Sequence, residues 1–159
     1  MAIAALNTAA TEEYISVYDP LYVKEGEPNP QATRFTLQAL DSYKDAHVKS
    51  LSVSYTMEVP EGVDKEKLTP KELTQYMRRK TDFFAVTHET VRLCLKGWVN
   101  FKDTAGNEIP FKTVQENIKG RMYQVVAPEL IARLPQEIIE ELYLKINMMS
   151  VFSETDRKN

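Results

Sequence analysis

Two histidines, one cysteine and two adjacent glutamate pairs are the residues whose types invite catalytic or metal chemistry. To hold a metal, His47 and His88 would need carboxylates from distant segments, because neither HxH nor HExxH spacing is present. Cys94 sits between Leu93 and Leu95 on a turn expected to be helical, so it reads as a small buried hydrophobe rather than a nucleophile. The five glycines are isolated, which leaves no Gly-rich cradle for a phosphate. Glu12-Glu13 and Glu140-Glu141 are sequence neighbours, and on a helix such neighbours point to different sides, so neither pair can flank a substrate. The expectation is a protein with no catalytic residue, no metal and no cofactor.

The remaining chemistry is that of contact. Tyr14, Tyr18, Tyr22, Trp98, Phe101, Phe111, Met148, Met149 and Phe152 fall near the ends of expected elements, where aromatic and thioether side chains suit adaptable contacts with another protein. Trp98, Phe101 and Phe111 belong to the stretch 91–111, the organising feature of the chain. Here Gly97 is expected to end a helix in a left-handed cap, and the only tryptophan follows as an anchor. Asp103, Gly106 and Asn107 supply a tight reversal before Pro110 redirects the chain, which makes a turn-rich hinge at 97–111.

Elements must position these groups, and composition limits which ones. A chain of 159 residues, 43% hydrophobic and 27% charged, has the size of one ordinary globular domain. Its 20 basic and 23 acidic residues give a formal net charge of −3, with no strongly basic region to neutralise phosphates, so nucleic acid is not the expected partner. A single cysteine fits a reducing compartment. No apolar run reaches the roughly 20 residues of a membrane span, and the opening residues lack the basic and apolar regions of a signal peptide. The expectation is a cytoplasmic protein without a membrane partner.

The pattern predicts an α+β fold: an N-terminal antiparallel sheet of about three strands, then a C-terminal helical region. Residues 1–12 read as a mobile arm, 13–62 as a β subdomain, 63–152 as the helical region and 153–159 as a polar tail. Within the β subdomain, 33–40 and 50–59 read as a hairpin joined by a polar turn at 41–45, with the patch around Tyr22 as a third strand. The clearest signal is Leu51, Val53, Tyr55, Met57 and Val59 alternating with Ser52, Ser54, Thr56 and Glu58, a half-buried strand. Thr69-Pro70-Lys71-Glu72 is a capping box opening a helix that carries Arg78-Arg79-Lys80 on its solvated side, and Thr113 to Glu116 is expected to open another. The last helix presents Ile139, Leu142, Ile146 and Met149 on one stripe, a candidate surface for a client or a second copy.

From the hinge onward the chain resembles the tail assembly chaperones of long-tailed bacteriophages. The resemblance is carried by Gly97-Trp98, then Asp103-x-x-Gly106-Asn107-x-x-Pro110-Phe111, the Pro-punctuated helices that follow and the Lys158-Asn159 ending; the strand from Phe35 to Leu40 is similar to the front of some members. The serine-alternating front half departs from the pattern. The resemblance implies a non-enzymatic protein of the host cytoplasm that self-associates, binds the phage tape-measure protein, keeps that long helical chain soluble, and is released as tail-tube subunits polymerise. It also implies a longer, frameshifted product extended near Asn159. The other reading is a structural virion component, a tail-tube, tail-terminator or connector subunit, with the sheet as its assembling part; a small enzyme or regulator loses ground to the missing catalytic set.

Overall fold

A computed structural model of the chain describes residues 9–155. The fold is α+β, with a three-stranded antiparallel sheet at the front of the chain and a long C-terminal helix. Strand β1 (Thr11–Tyr14) lies on β2 (Arg34–Gln38), and the third strand is β5 (Leu95–Val99), which arrives from mid-chain and pairs with the other side of β2. Strand β2 is central because both of its edges are paired, and it alternates accordingly: Phe35 and Leu37 are fully buried, while Arg34, Thr36 and Gln38 are half-buried.

The expected hairpin between 33–40 and 50–59 does not form. Asp41 caps a helix instead, its carboxylate accepting from the Tyr43 and Lys44 amides at 2.9 and 2.8 Å, and α1 (Ser42–Leu51) takes the place of the polar turn. Strand β3 (Val53–Met57) therefore leaves the main sheet and pairs with β4 (Met77–Thr81) as a separate two-stranded ribbon. The patch around Tyr22 is a turn, not a strand, since Asp19 accepts from the Leu21 amide at 2.8 Å and bonds back to its neighbours before Pro20. Of the expected mobile arm, residues 1–8 lie outside the described residues, and Thr11 and Glu12 begin β1.

The region 63–152 carries four strands as well as helices. The Thr69–Glu72 capping box forms as expected and opens α2 (Pro70–Gln75), but the helix stops after six residues. Arg78-Arg79-Lys80 then lies on β4, not on a helix face, paired with Thr56, Tyr55 and Ser54 of β3. Helix α3 (Phe83–Cys94) starts afresh with Asp82 as its cap and ends at Leu95, so Gly97 is a strand residue and not the helix cap. A Cβ at Gly97 would meet the Thr36 side chain at ordinary contact distance, 3.6 Å.

The Thr113 box opens no helix either. Strands β6 (Thr113–Ile118) and β7 (Arg121–Val126) form a hairpin whose two-residue turn, Lys119-Gly120, has φ of 50° and 84°. A helix over this stretch would carry Gly120 in its interior at about 1 kcal/mol, whereas the primed turn uses that glycine and lets the Asn117 side chain accept from its amide at 2.9 Å. A short helix α4 (Pro128–Ile131) leads to α5 (Gln136–Thr155), which packs against α3 and β2; α3 also contacts α1 and β7. The shared core includes Leu37, Val91, Leu95, Val125, Leu142 and Ile146. Among the described residues no helix is long and apolar enough to cross a membrane.

Candidate partner-binding surface

The hinge is an ordered loop built by the residues of its motif. The chain leaves β5 at Asn100, whose φ is 59°, and returns after a reversal closed by the Lys102 to Glu108 bridge and by the Ile109 amide on the Phe101 carbonyl at 2.8 Å. Asp103 holds the turn: its carboxylate accepts from the Ala105 and Asn107 amides, both at 2.9 Å, and from the Asn107 side chain at 3.3 Å. The Asn107 amide, with the Asn107 side chain and the Ala105 amide, holds the Asp103 carboxyl below its usual range. Gly106 takes the left-handed position, with φ of 84°, that a side chain would strain.

Trp98 is the anchor of this loop, buried and donating its indole N–H to the Ile109 carbonyl oxygen at 2.6 Å. Its ring meets Phe111 edge-on at 4.8 Å and Phe101 at 4.9 Å, and Phe101 in turn contacts Phe35 at 6.2 Å. Phe101 and Phe111 are half-buried, so the aromatic cluster presents part of itself outward. A cleft of about 520 Å³ opens beside it, lined by Trp98, Asn100, Phe101, Glu108 and Phe111 among others.

The loop 15–33 lies against the hinge. Asn100 donates through Nδ2 to the carbonyls of Pro30 and Ala32 at 3.0 and 3.2 Å, and the Thr33 hydroxyl donates to the Asn100 carbonyl at 3.2 Å. Asp19 fixes the loop from inside, its second oxygen accepting from the Thr33 amide at 2.8 Å. At the other end Glu141 of α5 accepts from the Tyr14 hydroxyl at 2.7 Å, the Val17 amide at 2.9 Å and the Ser16 hydroxyl. Burial, the hydrogen bond to Glu141 and its charge push the Tyr14 phenol up from its ordinary value. Lys145 adds an ion pair to Glu12 at 2.6 Å. So held, the loop displays Val17, Tyr18, Leu21, Tyr22 and Val23, with Val17 and Tyr18 52% and 61% exposed. A fixed backbone carrying exposed aromatic and branched side chains suits protein contact, since little order has to be gained on binding.

The α5 stripe occupies a different place from the one expected. Ile139, Leu142 and Ile146 are fully buried against the core, and Met149 packs on it half-buried, so the stripe faces inward. Among the described side chains of α5 the outward apolar residues are Leu144 and Met148, beside Tyr143, whose ring Phe83 meets edge-on at 5.5 Å. Phe152 falls outside the described side chains.

The titratable groups are structural in their surroundings. Burial pushes the Cys94 thiol up to about 12, which keeps it protonated and unreactive at neutral pH. His88 bonds the Phe84 carbonyl at 3.0 Å and stacks on the Phe84 ring at 3.8 Å. His47 belongs to a charged clamp that sequence spacing did not reveal. Its Nε2 meets Glu89 at 2.9 Å, Arg92 donates to both Glu89 oxygens at 2.7 Å, and Arg92 continues to Glu116 on β6, joining α1, α3 and the β6–β7 hairpin. Burial pushes the Glu89 carboxyl up, but hydrogen bonds from Arg92 and His47 outweigh it and leave the group below its ordinary value. Of these contacts only the i, i+3 spacing of Glu89 and Arg92 is a local sequence pattern. Among the described residues no group of three His, Cys, Asp or Glu side chains is placed to hold a metal.

No protein-family model matches this chain, and comparison with curated proteins and with solved structures finds no significant match.

Proposed function

We propose that this protein is a non-enzymatic tail assembly chaperone of a long-tailed bacteriophage, which binds the tape-measure protein in the host cytoplasm and keeps it soluble during tail assembly. The observation that carries the reading is the ordered apolar surface made by the loop 15–33 beside the aromatic hinge. The residues that bear the family resemblance, Gly97, Trp98, Asp103, Gly106, Asn107, Pro110 and Phe111, lie in β5 and the hinge that buttresses this surface. Exposed Val17, Tyr18, Leu21 and Tyr22 offer the area that a long amphipathic client helix would cover.

The test is co-expression with the tape-measure protein and with the tube subunit of the same phage, followed by affinity capture and by mass spectrometry of purified particles. The chaperone reading expects capture of the tape-measure protein and absence from mature particles. Stoichiometric presence in particles would replace it with the structural reading of a tube, terminator or connector subunit.

A further inference from the structure

The β3–β4 ribbon stands apart from the core. From 51 to 85 no described side chain is buried, and Met57 and Met77, opposite each other in the ribbon, are each 41% exposed. Yet this ribbon contains the strictest alternation in the sequence. Among the described strands β3 pairs with β4 alone, so its other edge is open.

The direction of that edge follows from the register. The Glu58 amide donates to the Tyr76 carbonyl at 3.1 Å, and Met57 lies opposite Met77, so Glu58 and, two by two, Thr56 and Ser54 turn their backbone groups toward β4. Val53, Tyr55 and Met57 therefore turn their N–H and C=O groups outward. Unpaired outward groups on a strand are a template for another strand, and charge on the strand normally guards against it. The two edges differ in this respect. Strand β4 carries Arg78, Arg79 and Lys80 in succession, whereas 51–57 carries no charge.

We infer that β3 pairs antiparallel with β3 of a second copy about a two-fold axis at Tyr55, giving a four-stranded sheet β4-β3-β3-β4. The sequence is self-complementary about that axis. Tyr55 meets Tyr55 of the second copy, Val53 meets Met57, Leu51 meets Val59, and Ser54 meets Thr56, so apolar positions face apolar ones and small hydroxyls face each other. The same operation on β4 would set Arg79 against Arg79 and Arg78 against Lys80, a repulsive register. The partner is thus a copy of this chain, joined at the β3 edge.

The test separates this edge from the ribbon itself. In Ser54→Glu/Thr56→Glu the new carboxylates lie opposite Lys80 and Arg78 within the chain and support the ribbon, but each lies opposite a carboxylate of the second copy. Light scattering at micromolar concentration is expected to give twice the chain mass of 18.3 kDa for the wild type, and the single chain mass for the variant, with an unchanged circular dichroism spectrum. In Ser54→Cys/Thr56→Cys, positions that face each other in a non-hydrogen-bonded pair, mild oxidation is expected to link two chains, while Arg78→Cys/Lys80→Cys stays unlinked. A monomeric wild type, a dimer that survives the paired glutamates, or no cross-link through positions 54 and 56 would each overturn the inference.

Discussion

Trp98 and Ile109 are joined by an indole N–H donated to a main-chain carbonyl at 2.6 Å, and this bond closes the hinge from inside. Both residues are buried, so losing the indole donor costs the carbonyl its protein partner. The hinge is thereby a fixed part of the fold and not a tether between halves.

Trp98→Phe keeps the ring contacts but leaves the Ile109 carbonyl unsatisfied, and is expected to destabilise the protein by about 1–3 kcal/mol in denaturant titration. Wild-type emission should be blue-shifted in the native state and move red on unfolding. Solvent-exposed emission from the folded protein would contradict the anchored hinge.

Leu142 and Leu144 sit two residues apart on α5 with opposite surroundings, 0% and 60% exposed. Leu142→Ala should cost about 2–5 kcal/mol by opening a core cavity, whereas Leu144→Ala should stay within about 0.5 kcal/mol. Equal melting temperatures for the two variants would show that the stripe of Ile139, Leu142 and Ile146 is not core.

What the sequence made legible follows physical locality. Strand β2, the Thr69 capping box and the Asp103 turn were readable because neighbouring residues determine them: alternation, a side chain reaching three positions ahead, a glycine where φ is positive. The Thr113 box misled because a capping pattern specifies only how a helix would begin, and the Lys119-Gly120 turn gave the same residues a strand partner. Strand β3 was recognised as a strand but not its partner, since alternation fixes a face and says nothing about which chain supplies the other edge. At the candidate surface, Trp98, Phe101 and Phe111 were found by type and spacing and do cluster. The burial of the α5 stripe depends on packing against α3 and β2, and the display of the neighbouring loop on bonds that Glu141 accepts from more than 100 residues away, and no local pattern encodes either.

Glu89 sets the acid limit of the charged clamp. Its carboxyl is depressed in the folded chain, so the unfolded chain binds the proton first and stability rises with pH across that interval. The contribution is whole above the ordinary carboxyl value and is lost as pH falls through the lowered native one. Glu89→Gln should flatten this part of the stability profile and lower stability at neutral pH, where Arg92 loses one of its two charged partners and keeps Glu116. An unchanged slope between about pH 5 and pH 3 would remove the clamp from the acid transition.

If the loop 15–33 carries the proposed client, the soluble fraction of the tape-measure protein will differ between co-expression with the wild type and with Tyr18→Glu/Tyr22→Glu. Both tyrosines are exposed, so the variant should fold with an unchanged melting temperature. Soluble tape-measure protein is expected with the wild type, and its loss to the pellet with the variant. Equal solubility with both, or none with either, would contradict it.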